Sequence, residues 1–173
     1  MEESEVFDAM NVNDLVVQKV RAQIACYFNE LWHSRLPKIH WSNVVRNTHY
    51  VCYAVTFKQA IVGVAIWSSP VAQNRMKNGK EILELRRLAL SDVCVRNTAT
   101  KVIASMIKMI RKKFPDIKKL VSYQDCDVHQ GTIYKAANWV RDGEVALIDW
   151  TTKTRQRTAL QSNAGKVRWT YEM

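Results

Sequence analysis

Glycine and proline are scarce, with five Gly and three Pro in 173 residues. So few chain breakers leave little room for long linkers or low-complexity tails, and they predict one domain. No apolar run approaches the ~20 residues a membrane-spanning helix needs. The opening stretch Met1–Asp8 is acidic and has no apolar core of the kind secretion signals carry. The expectation is a soluble, cytoplasmic protein with no membrane partner. The four cysteines, Cys26, Cys52, Cys94 and Cys126, include no Cys-x-x-Cys pair, which argues against a zinc ribbon. Their wide spacing argues against a disulfide scaffold and predicts buried free thiols. Acidic side chains are also short, 16 Asp and Glu against 26 Lys and Arg, a net charge of +10. Such a surplus says little about fold and much about partners: DNA, RNA or an anionic membrane surface, with nucleic acid the favoured reading.

What is present suits a globular domain. Hydrophobic residues make up 47% of the chain, enough for a sizeable core. Residues 1–10 read as an acidic leader and residues 11–173 as a single domain. Asn11 or Asn13 is placed to cap a helix running to about Leu31, with Val12, Val16, Val20, Ile24, Tyr27 or Phe28, and Leu31 at helical spacing. Residues 33–48 look like loop. Two β-rich runs, Tyr50–Phe57 and Ile61–Trp67, predict a hairpin. Ser68–Lys80 reads as a loop that ends in the turn pair Asn78-Gly79, and Ile82–Leu90 as a strand. Thr98 or Asn97 caps a helix over Ala99–Phe114, stopped by Pro115. A strand at Lys119–Tyr123 and a short helix at Gln130–Ala137 follow, with Asn138 suited to the left-handed end of that helix. Two last strands are expected at 144–150 and 166–172. The strand–helix–strand unit in the middle calls for a right-handed parallel crossover. The fold class is therefore α/β (α+β), one mixed central sheet flanked by helices.

The densest polar cluster runs from Ser122 to Gly131, between a strand and a helix, where open sheets hold ligands. Asp125 and His129 suit a base and its orienting partner, or two ligands of a metal. The plain alternative is helix capping by Asp125 or Asp127, with His129 exposed. Tyr134, one turn beyond, is placed to give its phenolic proton to a leaving group, or simply to be a core aromatic. Trp32-His33-Ser34-Arg35 lies where the first helix ends and can fold over a site, although a helix C-terminus alone explains its His and Arg. Arg86 and Arg87 sit side by side in a strand, so one of them is expected to face a helix layer or pocket. Basic residues cluster twice. Lys101, Lys108, Arg111, Lys112, Lys113, Lys118 and Lys119 read equally well as a solvated helix face. Lys153, Arg155, Arg157, Lys166 and Arg168, flanked by Trp150 and Trp169, are the stronger nucleic-acid candidates, since cations neutralise phosphates and aromatic faces stack on bases.

The segment Ile133-Tyr134-Lys135-Ala136-Ala137-Asn138-Trp139 resembles the late helix of the GCN5-related acetyltransferase (GNAT) fold, with Asn-Trp where that fold has a Gly-Phe-like pair. The resemblance gives Tyr134 the role of proton donor to a leaving thiolate. Where that fold has a glycine-rich loop for the coenzyme A pyrophosphate, this chain has Val95-Arg96-Asn97-Thr98-Ala99-Thr100. Asn97 is able to take a positive φ and the helix N-terminus attracts anions, but the missing glycines argue against acetyl-CoA as donor. A second resemblance spans roughly residues 30–143. Leu120-Val121-Ser122-Tyr123-Gln124-Asp125, followed by His129-Gln130-Gly131-Thr132-Ile133-Tyr134-Lys135-Ala136-Ala137-Asn138-Trp139, is similar to the Mom family of phage DNA-modification proteins. Glu84-Leu85-Arg86-Arg87 resembles that family's Glu-Leu-x-Arg motif and points to Arg87. His33-Ser34 through Pro37 resembles its His-Tyr-Ser…Pro segment, without the Tyr.

That resemblance implies an enzyme that places an acetamido (methylcarbamoyl) group on adenine N6 in phage DNA, inside the host cytoplasm, and so evades restriction. Under that reaction Asp125, Tyr134, His129 and Ser122 are the catalytic candidates. Tyr123, Arg87, His33, Ser34, Arg96, Asn97, Gly131 and Asn138 would bind substrate or donor. Iron is implied by the family, with His33, Asp125 and His129 as its candidate ligands. The partners expected are double-stranded DNA and an acyl donor, charged tRNA among the candidates, with a homodimer open as the oligomeric state. An N-acyltransferase with another acceptor, and a non-enzymatic nucleic-acid-binding module, are the competing classes.

Overall fold

The computed structural model describes residues 10–33, 36–71, 80–126, 130–145 and 165–173. A 3-10 turn at Val12–Asp14, capped by the Asn11 side chain, leads into β1 (Val16–Val20). Helices α1 (Ala22–Trp32) and α2 (Trp41–Val45) follow, then β2 (Tyr50–Phe57), β3 (Ala60–Ser68) and β4 (Ile82–Leu90). Helix α3 (Thr98–Lys113) crosses to β5 (Lys119–Asp125), and α4 (Thr132–Ala136) precedes β6 (Val140–Val145) and β7 (Lys166–Glu172). The seven strands form one sheet in the order β1-β2-β3-β4-β5-β7-β6. Every pairing is antiparallel except β4 with β5, which run parallel as a strand–helix–strand crossover requires.

The hairpin of β2 and β3 closes over Lys58 and Gln59, at φ 45° and 71°. Two consecutive left-handed residues match the twist of the strands they join. On one face of the sheet, Val51, Tyr53, Val55 and Phe57 of β2 and Leu83 and Leu85 of β4 pack under Val102, Ile103, Met106 and Ile110 of α3. On the other face, Ala22, Ala25 and Cys26 of α1 and Val44 of α2 cover Cys52, Val64, Ile66 and Ala89. Strand β2, next to the edge strand β1, is thus enclosed from both sides.

Three sequence expectations give way here. The single helix over 11–31 is instead a turn, a strand and a helix. Val16, Val17 and Val20 are β-branched, and the stretch pairs with β2 as an edge strand from Val16↔Thr56 to Val20↔Cys52. Within 33–48, Trp41–Val45 is helical, capped by His40, whose Nδ1 accepts from the Ser42 amide. Met10, assigned to the leader, is buried in the larger core; residues 1–9 lie outside the described residues. So do Asn78-Gly79 and the stretch 146–150.

Candidate active site

The site begins with a flaw in the sheet. β3 and β4 pair Ile66↔Arg87 and then Trp67↔Leu85, so Arg86 is an extra residue, a β-bulge. The parallel ladder to β5 ends nearby, at Leu85↔Ser122, although β4 continues to Leu90 and β5 to Asp125. Beyond that rung the strands part and leave a fork whose two sides carry different chemistry.

On the α3 side stands Tyr134. Its hydroxyl lies 2.8 Å from Ser122 Oγ, and that oxygen lies 3.4 Å from the Leu85 carbonyl at the last rung. Tyr134 and Ser122 are both buried. Burial raises the phenol's pKa, partly offset by the Ser122 bond, so the group is a protonated donor at neutral pH rather than a base. The ring stacks on Trp169 with centroids 5.6 Å apart and 16° between planes, and it meets the edge of Trp139 at 5.6 Å. Trp169 Nε1 donates to Gln124 Oε1 at 2.8 Å. Gly131 opens α4 with φ 73°, and a β-carbon there would lie 2.5 Å from Gln124 Oε1 and 2.6 Å from Trp169 Cζ2. Glycine therefore lets α4 settle directly on the Gln124–Trp169 pair, which fixes Tyr134 over Ser122. Asn138, at φ 62°, turns the chain out of α4 as expected, but its side chain is exposed, so it ends the helix rather than lining the pocket.

On the opposite side lie the two arginines. Alternation along β4 predicts that they face opposite ways, but the bulge breaks the alternation. Cys26 of α1 feels both guanidiniums, and both feel Glu84. Arg87 Nη1 donates to the Arg86 carbonyl at 2.7 Å and Nη2 to the Pro37 carbonyl at 3.4 Å. Its Nε is buried with no partner among the described residues. Burial, then repulsion from Arg86, lowers its pKa to about 10, which leaves it charged at neutral pH. Glu84 is buried and accepts from the Val71 amide at 3.1 Å, which ties the segment after β3 to the site. Because strand residues alternate, Tyr123 and Asp125 point to this arginine side, away from Ser122, Gln124 and Tyr134.

The structure thus joins Ser122 to Tyr134 and places Asp125 across the sheet from them. Asp125 and Tyr134, both candidates for one pocket, stand on opposite sides of β5. His129, Asp127, Ser34 and the basic residues Lys153, Arg155 and Arg157 lie outside the described residues. His33 ends α1, its amide donating to the Asn29 carbonyl at 2.8 Å. Among the described residues no three His, Cys, Asp or Glu side chains come together as a candidate metal site, and His129, expected beside His33 and Asp125, lies outside them. Asn97 caps α3 in the left-handed conformation, φ 69°, as its residue type allows; Arg96 beside it is exposed.

Trp169 is buried against Tyr134 and presents no face to a base. Arg168 is paired with Asp142 at 2.7 Å. Gln124 and Trp169, which lock the phenol, were not assigned as a pair. The sequence signal was a Gln two residues after Ser122 on the same strand face, but its partner lies 45 residues away.

Comparison with solved structures assigns the architecture. An IAA acetyltransferase from Bacillus cereus superposes with a TM-score of 0.65 over 92% of this chain and 99% of its own, at 12% identity. Spermidine N-acetyltransferase from Vibrio cholerae gives 0.66 over 92% and 94%, at 8% identity. A GNAT family acetyltransferase from Elizabethkingia anophelis, solved with acetyl-CoA bound, gives 0.60 over 93% and 99%, at 13% identity. The chain therefore has the GNAT acetyltransferase fold.

Within that fold it belongs to the Mom protein family, whose pattern matches residues 14–169. It is 27% identical over 108 residues to methylcarbamoylase Mom of Escherichia phage Mu, a match covering 58% of this chain and 44% of that protein. The chain thus spans less than half the length of the curated relative it matches. None of the helices among the described residues is long and apolar enough to cross a membrane.

Proposed function

We propose that this chain is a phage DNA-modification transferase that places an acetamido (methylcarbamoyl) group on adenine N6, protecting the DNA from host restriction. The supporting observation is the buried Tyr134 hydroxyl, 2.8 Å from Ser122 Oγ where the β4–β5 ladder ends. The adenine amine is a poor nucleophile because its lone pair is delocalised into the ring. The donor must therefore carry a good leaving group, and that group needs a proton as it departs. A phenol whose pKa is raised by burial, aimed into the fork from one wall, suits that task. Arg87 on the other wall, whose Nε has no partner among the described residues, suits a carbonyl or phosphate oxygen of donor or substrate. Asp125, on the arginine side, is assigned to proton handling at the adenine. The target base must leave the stack to reach the fork, at a cost of a few kcal/mol.

The test is mass spectrometry of nucleosides from the DNA of cells expressing the protein. A new adenine species is expected with the wild type. In Tyr134→Phe, which keeps the ring stack, its yield should fall roughly 100-fold or more. Asp125→Ala should abolish it with the fold intact by circular dichroism. Unaltered nucleosides, with tight coenzyme A binding and no affinity for DNA, would move the assignment to an N-acyltransferase with another acceptor.

A further inference from the structure

Helix α3 contains five basic residues and no acidic one. Its inner face, Val102, Ile103, Met106, Ile107 and Ile110, is committed to the core. At 100° per residue, Lys101, Lys108 and Lys112 fall within about 40° of one another on the outer face, with Arg111 on the flank. All four are exposed. The line from Lys101 to Lys112 is about 17 Å long, roughly the rise of five base pairs. Between the cations stand Ala104 and Ser105, small side chains that let another backbone approach; Ser105 Oγ turns back to the Lys101 carbonyl at 3.1 Å.

Two cations just beyond the end of this helix are neutralised. Lys118 pairs with Glu81 at 2.5 Å and Lys119 with Glu172 at 2.9 Å. Elsewhere Arg168 pairs with Asp142, Arg141 with Glu144 and Lys38 with Glu30. Lys101, Lys108, Arg111 and Lys112 form no ion pair among the described residues, and Lys101 makes only a polar contact, to Asn13 at 3.2 Å. Helix stability explains part of the pattern, since Arg111 and Lys112 meet the negative end of the helix dipole. It does not explain Lys101, which stands in the second turn of a helix whose first turn carries no acidic residue. A cation there opposes the dipole.

We infer that the outer face of α3 is a duplex-DNA backbone surface, in which Lys101, Lys108 and Lys112 each neutralise a phosphate and read no sequence. The inference rests on DNA being the acceptor and places a contact on this helix; Lys153, Arg155 and Arg157 lie outside the described residues. Arg168 is already engaged by Asp142, and it lies on the sheet rather than along an unpaired row.

The test uses the full chain and a short duplex, with affinity measured across a salt series. Each neutralised phosphate adds about 0.9 to the slope of log affinity against log salt. The triple variant Lys101→Gln/Lys108→Gln/Lys112→Gln should therefore lose about 2.7 of the wild-type slope. Its affinity loss between about 50 and 200 mM salt should shrink by about 40-fold. A control of equal charge, Arg46→Gln/Lys58→Gln/Lys80→Gln, should keep the wild-type slope, and circular dichroism should show both variants folded. An unchanged slope in the α3 variant, an equal drop in the control, or a wild type that binds phosphatidylserine vesicles but not duplex DNA would overturn the inference. Nucleoside analysis of the wild type separates the two claims. A slope lost in the α3 variant alone, with no altered adenine, supports the surface and removes the proposed reaction.

Discussion

Gly131 is the residue on which the position of Tyr134 most directly depends. Any side chain there meets two obstacles at once. The left-handed backbone costs an L-residue about 1–2 kcal/mol, and the added β-carbon collides with Gln124 Oε1 and Trp169 Cζ2. Neither neighbour is free to retreat, since each bonds to the other. Gly131→Ala should therefore lower the unfolding free energy by about 2 kcal/mol or more in urea titration. Gly165→Ala, where an added β-carbon meets nothing within 4 Å, should change it by less than about 0.5 kcal/mol. Equal effects at both glycines would mean that α4 is not seated on Trp169. Tyr134→Phe bears on a separate question. It removes one hydrogen bond and should cost about 1 kcal/mol, so its loss of activity reports chemistry rather than unfolding.

At the scale of elements, α1 shows where reading a sequence by bulk goes astray. Of its large apolar residues at helical spacing, Ile24, Tyr27 and Leu31 are exposed, while Phe28 is partly buried against the core on this side. The buried set is Ala22, Ala25, Cys26 and Asn29, which follows the same period on another side of the helix. Small side chains let the helix lie close on the sheet, so its inner face is defined by lack of volume. Ala25, fully buried, has no space to grow, and Ala25→Leu should cost about 1–3 kcal/mol by overpacking. Leu31→Ala on the outer face should stay within about 0.5 kcal/mol, with thermal unfolding as the measurement. The reverse order would restore the bulky face as the packed one. Other elements were legible because one signal dominated each. Strand β4 is rich in apolar residues from Ile82 to Leu90, α3 is amphipathic and stopped before Pro115, and Asn97 and Asn138 adopt the left-handed turns their residue type allows. The Ser122–Tyr134 pair was legible as neighbours of one loop. The Arg86 bulge was not, because it depends on register against β3. Nor was the side of the sheet on which Asp125 falls, which depends on how β5 meets β7 and α4.

At the scale of the whole molecule, enclosure of β2 by two cores has a consequence for pH. Cys52 and Tyr53 are adjacent, face opposite cores, and are each about 1% exposed. Burial raises the Cys52 thiol from 9.0 to about 12, with a smaller push from Cys26, and raises the Tyr53 phenol from 10.0 to about 12. Below pH 9 both groups are protonated whether the chain is folded or not, and they make stability no function of pH. Above pH 9 the unfolded chain releases the Cys52 proton while the folded chain keeps it, so the unfolded state binds fewer protons and stability falls as pH rises. Tyr53 adds to the slope above pH 10, and the window closes near pH 12. Each group contributes at most about 1.4 kcal/mol per pH unit. Deprotonation of lysines over the same range relieves the repulsion of a +10 chain and acts in the opposite direction. The measurement that isolates the core is therefore a difference. Urea unfolding of the wild type and of Cys52→Ala is compared at pH 8 and pH 10. The variant is expected to be less stable at pH 8, since it leaves a small cavity, but to lose about 1 kcal/mol less than the wild type on going to pH 10. Parallel losses in the two proteins would mean that the thiol titrates without unfolding, and that β2 is not sealed on the α1 side.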